Sequence, residues 1–409
     1  MSSSESKQTP SSYHFETPLL DAQHPSLLHS ISDQGGYAFV TMAALAAAGD
    51  SCAAETAADM AWEQLHSGPS SSVLPIWRDA YSMACLYMAR LHFSGGEFKE
   101  ALRVLDMGLI MGGSRLRSDL DSAIAKVSAE ARIVRVLDGH VESSLGCDEC
   151  NEEVAWNLPV KSLTNKMVVK MSGLSLEGFL REYFQPGFPV IVSDGMAHWP
   201  ARTKWKSLDY LHRVAGDRTI PVEVGKSYLR PQWKQQLITF SEFLDRIQSN
   251  DPSHDITYLA HHPLFDQINE LREDICVPDY CSVGGGELRS LNAWFGPAGI
   301  VSPLHHDPHH NMLAQVLGKK YIRLYDASLS EELYPYTETM LCNSSQVDLD
   351  NIDKKEFGKV VDLEFVDCIL EEGEMLYIPP KWWHYGRSLT TSFSVSFWWN
   401  NCDENSSAS

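Results

Sequence analysis

"SPLHHDPHHNMLAQVLGKKYIRLYD", residues 302–326, sets four histidines and an aspartate into positions 305–310 and then runs into two apolar stretches split by a Gly-Lys-Lys turn. Side chains alternate faces along a strand, so residues two apart share a face. His305 and Asp307 therefore point one way and His306 the other, which favours His305 and Asp307 as a pair of metal ligands. A pair of this kind is common by chance. A third ligand from a distant strand would sharpen the reading, because two histidines and one carboxylate on one face of an ion leave positions open for non-haem Fe(II) oxygen chemistry. His384, in "GEMLYIPPKWWHYGRSL" (373–389), follows a strand and a Pro-Pro corner and is the candidate. A lone histidine among aromatics is more often a packed or hydrogen-bonded core residue.

Outward from this stretch the texture is β-rich: "FPVIVSD", "TIPVEVG", "RSLNAWFG", "EMLYIP" and "TSFSVSFWWN" are short runs between Gly, Pro and Asp turns. They predict a barrel or double-sheet jelly roll of roughly eight core strands. The part before it reads as helical, with Ala/Leu/Met-rich segments such as "YAFVTMAALAAAGD" and "LPIWRDAYSMACLYMARLHFSGG". Tyr81 to Gly113 looks like one tetratricopeptide-type hairpin, but stacked repeats need neighbours, so a plain helical bundle is expected. The fold class is α+β, with a disordered tail 1–25, a helical domain 26–138, a linker 139–162, a catalytic-type β domain 163–402 and a polar tail 403–409.

At 409 residues, 44% apolar and 21% charged, the chain can bury more than one core. Its formal charge of −21 disfavours non-specific binding to nucleic acid or anionic lipid and suits a basic partner such as a Lys/Arg-rich tail. The apolar runs are too short to span a membrane, and the start "MSSSESKQTPSSYHFETP" has no signal-peptide core, so an intracellular location is expected. Nine scattered cysteines argue for reduced thiols. Cys147 and Cys150 form one C-x-x-C without a second, and read as part of an exposed acidic loop rather than a zinc site.

Residues from about 163 to 400 resemble the JmjC-domain oxygenases, in "EGFLREYFQPGFPVIVSDGMAHWPA", "VPDYCSVGGG", "NAWFGPAGIVSPLHHDPHHN", "GKKYIRLYD" and "IPPKWWHYGRSL". The helical part also resembles one subgroup of that family. The resemblance implies a double-stranded β-helix (cupin-like jelly roll), Fe(II) as cofactor with 2-oxoglutarate and O2 as co-substrates, and His305, Asp307 and His384 as iron ligands. It places His306, His309 and His310 in an outer shell or on the surface.

The far carboxylate of a chelating α-keto acid is buried and needs a cation. Lys320 suits it, sharing a strand face with Ile322 and Leu324, although a solvated strand-end lysine is the bland reading. By resemblance Lys320, Asn311, Tyr258 and Ser302 bind 2-oxoglutarate. Also by resemblance, Glu223, Trp294, Tyr228 and Trp233 touch the substrate, and a carboxylate with aromatic walls suits a cationic side chain. The implied activity is demethylation of methyl-lysine in the histone H3 tail, in transcriptional and circadian regulation, with nuclear and also cytoplasmic residence. Hydroxylation of an arginine or other side chain is the first alternative. A scaffold whose N-terminal helices bind another protein is the second.

Overall fold

The structure is a computed structural model and describes residues 13–137, 158–164, 166–225, 229, 232–249, 256–338 and 341–400. The chain divides into two compact units, Met1–Ser144 with Asp217–Thr219, and Leu145–Gly216 with Ile220–Ser409. The C-x-x-C of Cys147 and Cys150 lies outside the described residues. Among the described residues the cysteines are free thiols, and no helix is long and apolar enough to cross a membrane.

The first unit holds α1 (Pro18–Asp33), α2 (Tyr37–Ala47), α3 (Ser51–Leu65), α4 (Pro75–Ser94), α5 (Phe98–Met111) and α6 (Arg117–Leu137). Each helix from α2 on packs against the next, and α1 lies on α4. Ala54, Ala57 and Ala61 put one small-residue face of α3 into the core. The Asp50 carboxylate accepts from the Ala53 N–H at 3.0 Å and starts that helix. Residues 18–25, expected in a disordered tail, instead form the first half of α1. Thr17 gives no side-chain cap; the buried Asp119 of α6 accepts from the N–H groups of Leu19 and Leu20 at 3.2 and 2.7 Å. Phe15 and Leu20 are buried as well, so the polar composition of the first dozen residues was extended too far along the chain.

The second unit contains β1 (Lys166–Met167), β2 (Val169–Met171), β3 (Val190–Val192), β4 (Thr219–Val224), β5 (Lys234–Thr239), β6 (Thr257–His262) and β7 (Leu288–Gly296). It continues with β8 (Val301–His306), β9 (His310–Leu317), β10 (Lys320–Tyr325), β11 (Val366–Leu370), β12 (Met375–Ile378), β13 (Trp383–Ser388) and β14 (Ser392–Trp399). The smaller sheet runs β1-β11-β10-β13-β8 and the larger β2-β3-β12-β9-β14-β7-β6-β4-β5. From β7 to β14 the chain passes back and forth between the sheets, which is the jelly roll expected from the sequence. Phe295, Phe393, Phe397 and Trp205 belong to the largest core, where the Phe295 and Phe393 rings stack at 4.4 Å.

Strand β10 is buried along its whole length because both of its faces are covered. Ile322 and Leu324 face inward with Ile378 and Leu376, while Tyr321 and Tyr325 join Trp383 and Tyr385 beneath the segment between β10 and β11. Arg323, on the outer face, stacks 3.9 Å over the Phe365 ring and donates to the Val160 carbonyl at 3.0 Å and to Ser162 Oγ at 2.9 Å. Opposite it on β11, Asp367 accepts from the Leu163 N–H at 2.7 Å and the Tyr321 hydroxyl at 2.8 Å. Residues 158–162, expected to be linker, are therefore a strap on the smaller sheet. Arg323→Ala removes the bonds to Val160 and Ser162 and the stacking on Phe365, and should destabilise the barrel by about 2 kcal/mol. Urea unfolding followed by tryptophan fluorescence measures it, and an unchanged midpoint would contradict the strap's role.

Candidate metal centre and pocket

Strands β8 and β13 are antiparallel neighbours with His305 directly opposite His384. Each ring turns its Nδ1 to the carbonyl two residues back in its own strand: His305 to Pro303 at 2.7 Å and His384 to Trp382 at 3.0 Å. Donation from Nδ1–H fixes the tautomer and leaves each Nε2 with a free lone pair. Asp307 follows the end of β8, and its Oδ2 lies 3.5 Å from His384 Nε2. One ligand atom from each of the three residues falls within 4.8 Å of the other two.

Burial, and secondarily the neighbouring His305, push His384 down to about 4, so at neutral pH its imidazole is uncharged, the form that binds a cation. Among the described residues no fourth ligand joins the group. Three protein ligands with an open side fit a catalytic ion better than a closed structural zinc.

The other histidines of the opening stretch point elsewhere. His306 meets the Trp383 ring edge-on at 4.7 Å. His309 is bonded through Nδ1 to Asn400 Oδ1. His310 is buried rather than on the surface, stacked on Phe184 at 4.4 Å and bonded to the Tyr377 hydroxyl at 2.8 Å.

The triad opens into a pocket of about 550 Å³, partly open to solvent, whose wall includes Tyr258, Ser302, Asn311 and Lys320. Leu313, Ile322 and Ile378 supply apolar wall. Burial alone pushes the Lys320 amine down to about 7. Asn311 Oδ1 and the Tyr258 hydroxyl are buried with no hydrogen-bond partner among the described residues. The Tyr258 ring fits because residue 296 is glycine: a Cβ there would stand 2.7 Å from a ring carbon. A buried amine beside unpaired polar atoms has the chemistry to suit a carboxylate, and the His305, Asp307 and His384 triad lies on the same wall.

A second group stands beside this pocket. Trp294 lines the wall and donates from Nε1 to Ser396 Oγ at 2.8 Å. Glu223 lies opposite Tyr258 across β4 and β6, and Trp233 Nε1 donates to its Oε2 at 3.1 Å. The structure thus brings together three of the four residues expected to meet a substrate, while Tyr228 lies outside the described residues. It adds one that sequence reasoning missed. His261 Nδ1 is 3.2 Å from Glu223 Oε1, and the ring stands edge-on to Trp294 at 4.6 Å. The only signal was the polar pair His261-His262, which breaks the alternation of "TYLAHH".

Known proteins share this arrangement of parts. The cupin-like domain family matches residues 176–405, and the family described as KDM8-like, N-terminal ARM repeats matches residues 17–140. The lysine-specific demethylase JMJ30 of Arabidopsis thaliana is 64% identical over 411 residues, covering 96% of each chain. The lysine-specific demethylase 8 of Xenopus tropicalis is 38% identical over 388 residues, 84% of this chain and 87% of that one. The Jumonji C domain-containing protein 5 of Drosophila melanogaster is 35% identical over 381 residues, 88% of this chain and 90% of that one.

The chain belongs to the JmjC-domain family.

Membership also corrects the reading of the first unit. Its helices are ARM-like repeats rather than a plain bundle with one tetratricopeptide-type hairpin. The hairpin signal was real but local, since helix–turn–helix units of either repeat look alike when only one pair is legible. JmjC-domain proteins generally depend on Fe(II) and 2-oxoglutarate, and the donor set and the buried amine here fit both.

The opposite faces of His306 and Asp307 give a direct test. Asp307→Ala should abolish retention of Fe(II) or Mn(II) in equilibrium dialysis with an unchanged circular dichroism spectrum, whereas His306→Ala should keep the metal. Equal loss in both would mean that the face assignment is wrong.

Proposed function

We propose that the protein is an Fe(II)- and 2-oxoglutarate-dependent oxygenase of protein side chains, and that it removes methyl groups from methyl-lysine in a basic segment such as the histone H3 tail. The observation that carries this reading is the shared wall: the triad, the buried amine and Trp294 line one pocket, and Glu223, bonded to Trp233, pairs across the strands with Tyr258 of that wall. The names of the relatives, lysine-specific demethylases, support the choice of reaction. A chain of charge −21 attracts a Lys/Arg-rich tail. A chromatin target places the protein in the nucleus as well as the cytoplasm, with transcription and its daily rhythm as the output.

In this reading His305, Asp307 and His384 would hold the iron, and burial keeps the His384 imidazole neutral for that role. Iron bound there with 2-oxoglutarate supplies the oxidation of a substrate C–H bond by O2, coupled to conversion of the co-substrate to succinate and CO2. Lys320 pairs with the far carboxylate, and Tyr258 and Asn311 orient it by hydrogen bonds. Leu313, Ile322 and Ile378 keep water away from that end. Glu223, Trp233 and Trp294 receive the cationic side chain. Hydroxylation of an N-methyl carbon gives a hemiaminal that releases formaldehyde, leaving N–H where N–CH₃ had been.

Hydroxylation of an arginine is a second reading, favoured by Glu223. A carboxylate matches the donor fork of a guanidinium, while a trimethylated ammonium has no N–H to give it. The full chain with Fe(II), 2-oxoglutarate and ascorbate should form succinate, and His305→Ala should not. A peptide lighter by one CH₂ unit per methyl lost marks demethylation, and one heavier by an oxygen marks hydroxylation. Well-folded protein without turnover would leave the scaffold reading.

Lys320 provides a separate check. Its amine, near 7 in the free protein, is mostly neutral at about pH 8 and charged at about pH 6. A carboxylate partner raises that value, so binding 2-oxoglutarate should take up close to one proton at the higher pH and few at the lower. Calorimetry in buffers of different ionisation heat measures this. Lys320→Met should remove the uptake and weaken 2-oxoglutarate binding by about a hundredfold or more.

A further inference from the structure

We propose that His261 is a positioning residue that, together with Trp233, clamps the Glu223 carboxylate for a cationic substrate side chain; the proposal rests on the reading that Glu223 receives that cation. The backbone is the first observation. Leu259 pairs with Phe295 and His262 with Ala293, so β6 spends one residue more than β7 over that interval, and the strand bulges there. His261 sits in the bulge at φ 54°, in the left-handed region that side chains rarely adopt. Bulges of this kind re-aim a side chain.

The second observation is what the bulge achieves. It lets consecutive histidines face opposite ways: His262 turns in to Gln267 at 2.5 Å, and His261 turns to Glu223. The His261 side chain is 53% exposed, so little burial offsets the strained backbone. Backbone strain at a half-exposed residue points to a role other than core stability.

The third is the geometry of the clamp. Its two donors come from different places, His261 Nδ1–H on β6 and Trp233 Nε1–H just before β5, one to each oxygen of Glu223. With both oxygens held, the carboxylate plane is fixed and the remaining lone pairs stay available to an incoming N–H. Trp294, which lines the pocket, meets the His261 ring and so ties the clamp to the wall. A glutamate left free would have to be ordered at each binding event, which weakens binding.

The test uses the full chain with Fe(II) and 2-oxoglutarate. Its probe is whichever peptide wild type turns over best among H3-tail peptides carrying methylated lysines or unmodified arginines. Glu223→Gln and His261→Ala should each raise the peptide KM about tenfold or more with kcat retained. His261→Asn should recover most of the affinity, because its amide nitrogen can stand where Nδ1 does and asparagine tolerates the left-handed backbone. In the Glu223→Gln background, His261→Ala should add little. His261→Gly should raise KM while keeping the wild-type melting temperature, since release of backbone strain offsets the lost hydrogen bond.

An unchanged KM in His261→Ala, beside a raised one in Glu223→Gln, would overturn the clamp and leave the functional reading standing. A His261→Ala effect that persists undiminished without Glu223, or that lowers kcat as much as it raises KM, would mean an ordinary structural role. No effect of Glu223→Gln, or no peptide turned over by wild type, would overturn the reading and the clamp with it.

Discussion

The pairing of β8 with β13, which sets His305 opposite His384, is the constraint on which the rest of the site depends. A slip of one residue would bring Trp383 into the pocket and turn His384 outward. Packing on the outer face resists that slip. Trp383 and Tyr385 are buried there with Tyr321 and Tyr325, and Trp383 Nε1 donates to Ser330 Oγ at 2.9 Å. On the inner face the same strand presents His384 and Gly386 to the pocket. The segment between β10 and β11, remote from the chemistry in sequence, thus fixes the register that assembles the ligands.

Lys320 illustrates the opposite side of that order. Its neighbours on β10 bury large side chains on both faces, whereas Lys320 buries an amine whose charge the pocket disfavours. With Asn311 Oδ1 and the Tyr258 hydroxyl unpaired nearby, the protein carries a cluster of unsatisfied polar groups inside its barrel. Such a cluster costs stability by itself, and a bound carboxylate of the kind proposed would offset that cost locally. The desolvation that disfavours the Lys320 charge would also strengthen its attraction for an anion.

What was legible in the sequence follows from where each signal lies. The alternation of β9, β10 and β14 is plain because each carries a run of apolar residues, and the parity that pairs His305 with Asp307 needs nothing more than a strand. The placement of Lys320, Ile322 and Leu324 on one face was readable for the same reason. Strand β13, "WHYGRS", was hidden: aromatic and polar residues are buried on both of its faces, so no alternation appears. The start of α1 was hidden because its cap, Asp119, comes from a helix about a hundred residues away. His261 could not be found from spacing, since a bulge shifts the very register that spacing assumes.

The bulge has a counterpart across the pocket. Lys381, at φ 63°, is also a left-handed residue without being glycine, and it follows the Pro379-Pro380 corner that leads into β13. Its N–H donates to the Asp307 carbonyl at 2.7 Å, holding the backbone of a triad residue that lies just beyond the end of β8. Asp307 therefore gains a partner where the regular ladder has stopped. One strained residue secures the carboxylate of the triad, and the other borders the carboxylate of the rim. Strain persists in a fold only where the surroundings over-determine it. Here the surroundings are the sheets themselves: β13 anchored by its outer aromatics, and β6 by its pairing with β7 on either side of the bulge. The rigid parts of the barrel thereby hold two acidic groups in positions that regular strands would not give them.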